Sequence, residues 1–316
     1  MNSDEAAGSV LARLNNPAGE HTRFAVIADP HVSTRSEGTS KLFEQTEEHF
    51  EAAIEDINKR EVDAVLSPGD LTKDGEPWNY DAVDKAVSRL DAPFLAVPGN
   101  HDVPKSRDEH NTADISWFAK QYGPGTLPFH TTIGGMDVVG VNSAGTRNRL
   151  FESHDGRVTD EDRAWLRETL TDAGPSIVLV HHNFPPVSDQ ISAHREAEPE
   201  MHLPPVMRDP KPFADALAEG GADLVFTGHY HLPATGRYAG VREIAAPTTC
   251  SFPQAYLLCE TTPNGTVVRF IPIGDEQSLG EAHAQRTNES TTSRGLTAIA
   301  AARVASLPLV DEHNNK

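Results

Sequence analysis

The sequence predicts an α/β protein, and three observations carry that prediction. Apolar runs at 24–28, 64–67 and 94–97 are separated by two stretches of helical periodicity, an order of β-α-β-α-β. That order implies parallel strands joined by right-handed crossovers. Beyond residue 123 the pattern changes to runs that read as hairpins and antiparallel strands. Finally, five apolar runs stop abruptly at residues of the kind that ligate metals: Asp29-Pro30-His31, Gly69-Asp70, Gly99-Asn100-His101-Asp102, His181-His182 and Gly228-His229-Tyr230-His231. Asn and His are poor strand formers and costly to bury unpaired, so their arrival together at strand tips implies something there that needs them.

Taken in order, residues 1–22 form a polar, acidic leader, expected to be loose or helical. The first strand is 23–28. Residues 41–60 place Leu42, Phe43, Phe50, Ile54 and Ile57 roughly on one stripe of a helix. A short buried strand, 64–67, ends at Pro68-Gly69. Val83, Val87 and Leu90 mark a helix over 78–90, and 94–97 is the strand before Asn100. Runs at 127–133 and 136–142 flank Gly134-Gly135, a hairpin signal. Thr159-Asp160-Glu161-Asp162 before Trp165, Leu166 and Leu170 reads as an acidic helix start. Gly174-Pro175 precedes the strand 177–180. Residues 183–210 hold six prolines and no clear period. A loop of that length in a compact domain is usually functional or disordered, and a lid or substrate loop is expected here. A short helix at 211–220 and a strand at 224–227 lead to the last His pair. Runs at 238–245, 255–260 and 267–273 read as antiparallel strands. The tail, 275–316, is polar with one Ala-rich helical stretch at 296–306. The expected organisation is a leader (1–22), a catalytic domain (23–274) and a tail (275–316).

Composition bounds the function. With 37% hydrophobic residues in 316, the chain can bury a substantial core. Cys250 and Cys259 form no CxxC pair and read as buried small hydrophobes, so a reduced, cytoplasmic protein is expected. Residues 1–20 show neither the basic nor the apolar region of a secretory signal. No apolar run approaches the about 18 residues of a membrane span. The net charge is −20, and of 27 basic residues only 8 are Lys. Such a surface repels nucleic acid and anionic membranes, which argues against both as partners. Few lysines among many acids also resembles salt-adapted proteins; an ordinary acidic cytosolic enzyme has the same composition.

In open α/β sheets, ligands bind outside the carboxyl ends of the strands. Asp29, His31, Asp70, Asn100, His181, His229 and His231 all fall at such ends. Borderline divalent metals accept this mixture of carboxylate, imidazole and amide oxygen. Seven donors exceed one tetrahedral site but suit two metals sharing a carboxylate, an arrangement that clamps a phosphoryl group and activates water. Singly the signals are weak. Asp29-x-His31 fits a turn or cap, Gly69-Asp70 a turn, and His181 a satisfied core histidine. Their joint order, each closing an apolar strand, is what is specific.

That order, Asp-x-His, Gly-Asp, Gly-Asn-His-Asp, His, Gly-His-x-His, resembles the calcineurin-like metallophosphoesterases over about residues 23–273. Gly69-Asp70-Leu71-Thr72 followed by Asp74-Gly75, and Gly156-Arg157-Val158 through Trp165-Leu166 to Leu170, resemble most the branch containing class III cyclic-nucleotide phosphodiesterases. The resemblance implies a four-layer αββα sandwich with two mixed β-sheets. It implies one metal held by Asp29, His31, Asp70 and His231, and a second held by Asp70, Asn100, His181 and His229, with Asp70 bridging. The metals would be divalent: Mn, Fe, Zn or Mg. Asn100 and His101 would meet the substrate phosphate, and His101 would stabilise or protonate the leaving oxygen, with Asp102 or Asp74 orienting it. The branch usually reads His-His-Pro where this chain reads His181-His182-Asn183-Phe184-Pro185-Pro186, so His182 is an alternative to His181 as ligand, or lies behind it towards the substrate.

The resemblance therefore implies hydrolysis of a small phosphate ester, most simply a phosphodiester, by a metal-bridging hydroxide. A phosphomonoesterase or a nuclease would use the same chemistry, and a binding or scaffold protein could use the same fold. The last would be expected to lose ligands, and His101 first; all are present. His194, Arg195, His202 and Arg208 in the 183–210 segment, and Arg147, Arg149 and His154 before it, are substrate-contact candidates, each more simply a solvated side chain. Composition and motifs leave the oligomeric state open, a dimer included.

Overall fold

The structure, a computed structural model, describes residues 8–105, 109–145 and 154–313. Alternation along the strands decides its layers. In β2 (Thr22–Val26) and the residues just after it, Phe24, Val26 and Ala28 face one apolar layer while Ala25 and Ile27 face another. A strand that is apolar on both faces must lie between two covers. The same holds for β3 (Ala64–Ser67), where Leu66 and Val65 divide between the two layers.

Two mixed sheets result. The first contains β1 (Ser9–Leu14), β2, β3, β4 (Phe94–Ala96), β11 (Ala255–Thr262), β12 (Gly265–Pro272) and β13 (Val310–Asp311), in the order β13-β1-β12-β11-β2-β3-β4. Strands β2, β3 and β4 are parallel, whereas β11 runs antiparallel to both β2 and β12. The second sheet contains β5 (Phe129–Ile133), β6 (Met136–Gly140), β7 (Ser176–Leu179), β8 (Leu224–Thr227), β9 (Ala234–Tyr238) and β10 (Val241–Ala245), in the order β5-β6-β7-β8-β10-β9. Strands β6, β7, β8 and β10 are parallel.

The sheets pack face to face through Phe24, Leu66, Ile177, Phe226, Leu257 and Phe270. Phe24 and Phe226 meet edge to face with centroids 6.0 Å apart. Helices α1 (Thr46–Asn58), α2 (Pro77–Val87) and α3 (Ile115–Tyr122) cover the outside of the first sheet through Phe50, Ile54, Val83 and Phe118. Helices α4 (Asp160–Thr171) and α6 (Pro210–Gly220) cover the second through Leu166, Leu170, Phe213 and Leu217. This is the expected four-layer αββα sandwich. The acidic start at Thr159 is a true cap: its hydroxyl accepts from the Asp162 N–H at 3.1 Å.

Four expectations need correction. The leader is not loose, because Ser9–Leu14 forms β1 inside the first sheet, paired with β12 and β13 and burying Leu11, Ala12 and Leu14. Its short apolar set is diluted by polar neighbours, and its partner strand lies some 250 residues away. The 183–210 segment is not one loop. Pro185-Pro186 opens α5 (Pro185–His194), since proline at the first helical positions loses no hydrogen bond. The run 238–245 splits at Ala239-Gly240, both at positive φ (49° and 89°), a two-residue turn joining β9 to β10. The tail carries two helices, α7 (Glu276–Glu289) and α8 (Thr291–Ala305), turned on Ser290, whose hydroxyl caps α8 by accepting from the Ser293 N–H. Helix α7 buries only Ala282 and Arg286, so it presents no apolar stripe to read. Helix α3, also unanticipated, is capped by Asp114. No described helix is long and apolar enough to cross a membrane.

Candidate metal centre

The carboxyl ends of β2, β3 and β4 in one sheet and β7 and β8 in the other open on one edge of the sandwich, and the seven proposed ligands stand just beyond them. Five of the seven, Asp29, His31, Asp70, His229 and His231, have positive φ between 45° and 72°. Non-glycine residues there cost about 1–3 kcal/mol each and persist only where their surroundings over-determine them. Backbone bonds do so here. The Asp29 and His31 N–H groups donate to the carbonyls of Gly69 (3.1 Å) and Asp70 (3.0 Å), and the His229 N–H donates to both oxygens of Asp29 (2.9 and 3.1 Å). Glycine is required where the motifs touch: a Cβ on Gly69 would lie 2.4 Å from the Gly99 nitrogen, and one on Gly99 2.1 Å from Asp70 Oδ1.

The donors form two sets. Asp29, His31, Asp70 and His231 offer ligand atoms all within 4.8 Å of one another. His31 Nε2 and His231 Nε2 are 2.9 Å apart, and His231 Nε2 is 3.4 Å from Asp29 Oδ1. In the second set, His181 Nε2 is 3.1 Å from Asn100 Oδ1 and 3.2 Å from His229 Nδ1. Asp70 joins them. Its Oδ1 accepts from the His101 N–H at 2.8 Å, while Oδ2 lies 3.5 Å from His31 Nε2 and 3.4 Å from His181 Nε2. Buried nitrogens and carboxylate oxygens converging in this way are a poor apolar core and a good fit to divalent cations.

Backbone carbonyls fix several of the rings. His181 Nδ1 lies 2.9 Å from the Pro68 carbonyl and His229 Nε2 2.9 Å from the Pro205 carbonyl, leaving the other nitrogen of each for the site. Burial, with Lys41 charge acting in the same direction, pushes His31 and His231 well below the usual imidazole range. Burial and then His181 charge push His229 down to about 4. All three are therefore neutral near pH 7, the state in which imidazole ligates. Burial would raise the Asp70 carboxyl, but charge from His181 holds it well below its usual range. Burial opposes a charge on His181, yet Asp70 raises it to about 9. A cation entering beside His181 must displace that proton.

His182 lies against His181 and His229, but its Nδ1 is 2.8 Å from Ser143 Oγ and its Nε2 3.0 Å from the His154 carbonyl. Its ligand nitrogen nevertheless lies within 4.8 Å of those of His181 and His229. Asn183, where the family pattern departs, anchors the strand end. Its amide donates to Thr227 Oγ1 (2.6 Å) and Glu243 Oε1 (3.1 Å), and Glu243 also accepts from the Thr227 hydroxyl and the Phe184 N–H. Burial pushes the Glu243 carboxyl up to about 7.

His101 does not take its orientation from either expected carboxylate. Its Nδ1 lies 2.6 Å from the Lys73 carbonyl. Asp102 instead accepts from the Leu71, Thr72 and Gly99 N–H groups, all at 3.0 Å, clamping two ligand loops together. Asp74 accepts from Asn79, the Glu76 N–H and Lys73. The two aspartates build the loops, and a carbonyl aims the ring.

A cavity of about 330 Å³ opens over the site, lined at its floor by Asp70, Asn100, His101, His229 and His231. Of the substrate-contact candidates, His154 and His202 line it; Arg208 pairs instead with Asp155 at 2.7 Å, Arg195 and His194 sit at the end of α5, and Arg147 and Arg149 lie outside the described residues. Sequence reasoning missed Lys41, whose Nζ is 3.2 Å from His31 Nε2, and Arg286 from α7, which donates to the carbonyls of His231 (2.8 Å), Phe252 and Tyr230. It also missed Glu243, although an acid in the middle of a buried run was a legible signal.

The two-sheet fold and this donor set are those of a metal-dependent phosphoester hydrolase. The family follows from comparison: the calcineurin-like phosphoesterase family model matches residues 22–233, and the chain belongs to that family. It is 25% identical over 258 residues to a probable cyclic nucleotide phosphodiesterase of Psychrobacter arcticus, covering 76% of this chain and 84% of that one. It is 26% identical over 232 residues to the 3',5'-cyclic adenosine monophosphate phosphodiesterase CpdA of Vibrio vulnificus, covering 71% and 75%. Among solved structures it shares its fold with a dimetal phosphatase from Danio rerio, with a TM-score of 0.56, 14% identity, and 80% and 97% of the two chains covered.

Proposed function

We propose that this protein is a phosphodiesterase for small phosphodiesters, cyclic nucleotides among them, that works with two divalent cations. Asp29, His31, Asp70 and His231 would hold one, and Asp70, Asn100, His181 and His229 the other. The observation that carries the reading is the position of Asp70 Oδ2, 3.5 and 3.4 Å from one imidazole of each donor set. Paired cations there supply Lewis-acid charge for a phosphoryl group and lower the pKa of water. The names of the bacterial relatives support the choice of diester.

The chain's own residues do the rest. Asn100 and His101 present an amide and an imidazole at the cavity floor. With Nδ1 committed to the Lys73 carbonyl, His101 works through Nε2. Burial and then Lys41 charge hold its pKa well below the usual range, so Nε2 starts as a lone pair; His101 would take a proton from water there as the negative ester binds, and then pass it to the leaving oxygen. Lys41 supplies a cation near the phosphate in a chain of net charge −20. A cavity of about 330 Å³ suits a small ester better than a polymer.

The test is a hydrolysis panel of phosphomonoester, phosphodiester, cyclic nucleotide and single-stranded DNA, run on metal-stripped protein with Mn²⁺, Fe²⁺, Zn²⁺ or Mg²⁺ restored. Metal-dependent hydrolysis fastest on small diesters, with two ions bound per chain, is expected. Faster turnover of monoester or DNA, or saturation at one ion that leaves His181 and Asn100 free, overturns the reading.

A further inference from the structure

Residues 275–313 lie beyond the stretch that matches the family, yet they reach the cavity. Helix α8 is fastened to the 198–205 strap at three points. The His202 N–H donates to Thr292 Oγ1 at 2.9 Å, Arg294 makes two bonds to the Glu198 carboxylate at 2.8 and 3.0 Å, and Gly295 packs so tightly on Met201 that a Cβ would meet its sulfur at 2.5 Å. Helix α7 is fastened to the metal-ligand turn by Arg286, which is buried and donates to the Tyr230 and His231 carbonyls. Strap and hairpin thus form one built wall, continuous with the metal floor.

The chemistry of that wall is distinct from the floor. Leu203, Pro204 and Leu296 give it an apolar face, and Thr292 adds a hydroxyl whose oxygen accepts from the His202 N–H. Leu203, 44% exposed, and its near neighbour Val206, 38%, are the large apolar side chains that the described surface exposes most. Apolar side chains standing in water at the rim of a polar site favour an apolar ligand group.

We infer that the wall formed by Leu203, Pro204, Thr292 and Leu296 is the subsite for the organic group of the ester, and that it takes a group with an apolar face and a hydrogen-bonding edge, of which a nucleoside is one example. This rests on the phosphodiester reading above for the identity of the reaction, and on the cavity alone for binding. The C-terminal hairpin is then the specificity element of the enzyme, and Leu296 its determinant.

The experiment measures binding of adenosine 5'-monophosphate and of inorganic phosphate to the full chain loaded with Mn²⁺, by competition and calorimetry, alongside hydrolysis. The wild-type protein is expected to bind the nucleotide at least about tenfold more tightly than phosphate. Leu296→Trp, which fills the subsite, should erase that preference while leaving phosphate affinity within about twofold. Leu203→Ala, at an exposed position that cannot endanger folding, should reduce the preference about threefold. Wild-type protein that binds both ligands equally, or variants that weaken both equally or neither, overturn the inference. Selective loss of the nucleotide in a protein that hydrolyses no ester would sustain the subsite and sink the phosphodiesterase reading instead.

Discussion

The floor of the site and its wall are built by different rules. The floor consists of strand ends from two sheets, whose candidate ligands are mostly buried, five of seven at positive φ, and crossed by backbone hydrogen bonds. The wall consists of a strap and two helices that touch the floor through a few side chains, with exposed apolar groups and surface ion pairs. Several of the floor's donors are held by backbone bonds: His181 and His229 by carbonyls, and Asp29 and His31 through their N–H groups. The wall meets the floor through the Pro205 carbonyl at His229 and Arg286 at His231, while its apolar side chains Leu203 and Leu296 make no such bond. If chemistry belongs to the floor and selectivity to the wall, substitutions in the two should behave differently.

Asp70→Ala tests the floor most severely. It removes a carboxylate that both donor sets share, and activity and tight metal binding should vanish together, a loss beyond the about 10²–10³-fold of removing one electrostatic donor. Rates and metal analysis check this; a variant that keeps two ions and most of its rate would break the shared-ligand picture. His101→Ala should separate the two properties: both ions retained, with rate reduced by about 10²–10⁴-fold. Loss of metal in this variant would make His101 a ligand rather than a proton carrier.

Lys41→Met sits between floor and wall. It should lower kcat/KM about tenfold, roughly 1.4 kcal/mol, with metal content unchanged. An unchanged kcat/KM would show that Lys41 contributes nothing to turnover from its place 3.2 Å from His31 Nε2.

Glu243 sharpens the comparison through stability rather than rate. Its carboxyl is raised from the ordinary 4.5 to about 7, so between those values the folded protein holds a proton that the unfolded chain has released. Its contribution is fully present below about pH 4.5 and is lost as pH rises through about 7, on the order of 3 kcal/mol. Glu243→Gln should flatten that part of the pH-stability profile, read from urea midpoints at pH 5 and 8. An identical profile in the variant would mean that the carboxyl titrates normally.

The smallest effect concerns the surface as a whole. With 47 acids against 27 bases, self-repulsion should ease as the screening length falls from about 10 Å at 0.1 M salt to about 3 Å at 1 M. The unfolding midpoint is expected to rise by a few degrees between 0.1 and 2 M KCl, and activity to persist. Neutralising surface Asp and Glu far from the metals should shrink the rise; if it stays undiminished, hydrophobic salting-out is the cause.

The sequence by itself determined which side chains meet and at which strand ends. Asp29, Asp70, Asn100, His181 and His229 could be read because each follows an apolar run short enough to be a buried strand, and a strand's end fixes where its next residues go. The β-α-β order was legible for the same reason, since period and run length are local quantities. Tertiary structure alone decided the rest. Nothing local says that Ser9–Leu14 pairs with residues near 268, that the Lys73 carbonyl rather than Asp102 or Asp74 aims His101, or that Lys41 reaches His31 from a loop and Arg286 the His231 carbonyl from a polar helix. Those partners are far apart in the chain and carry no periodic signal. They are chosen by which surfaces can close together once the two sheets have packed, and packing sums over the whole molecule.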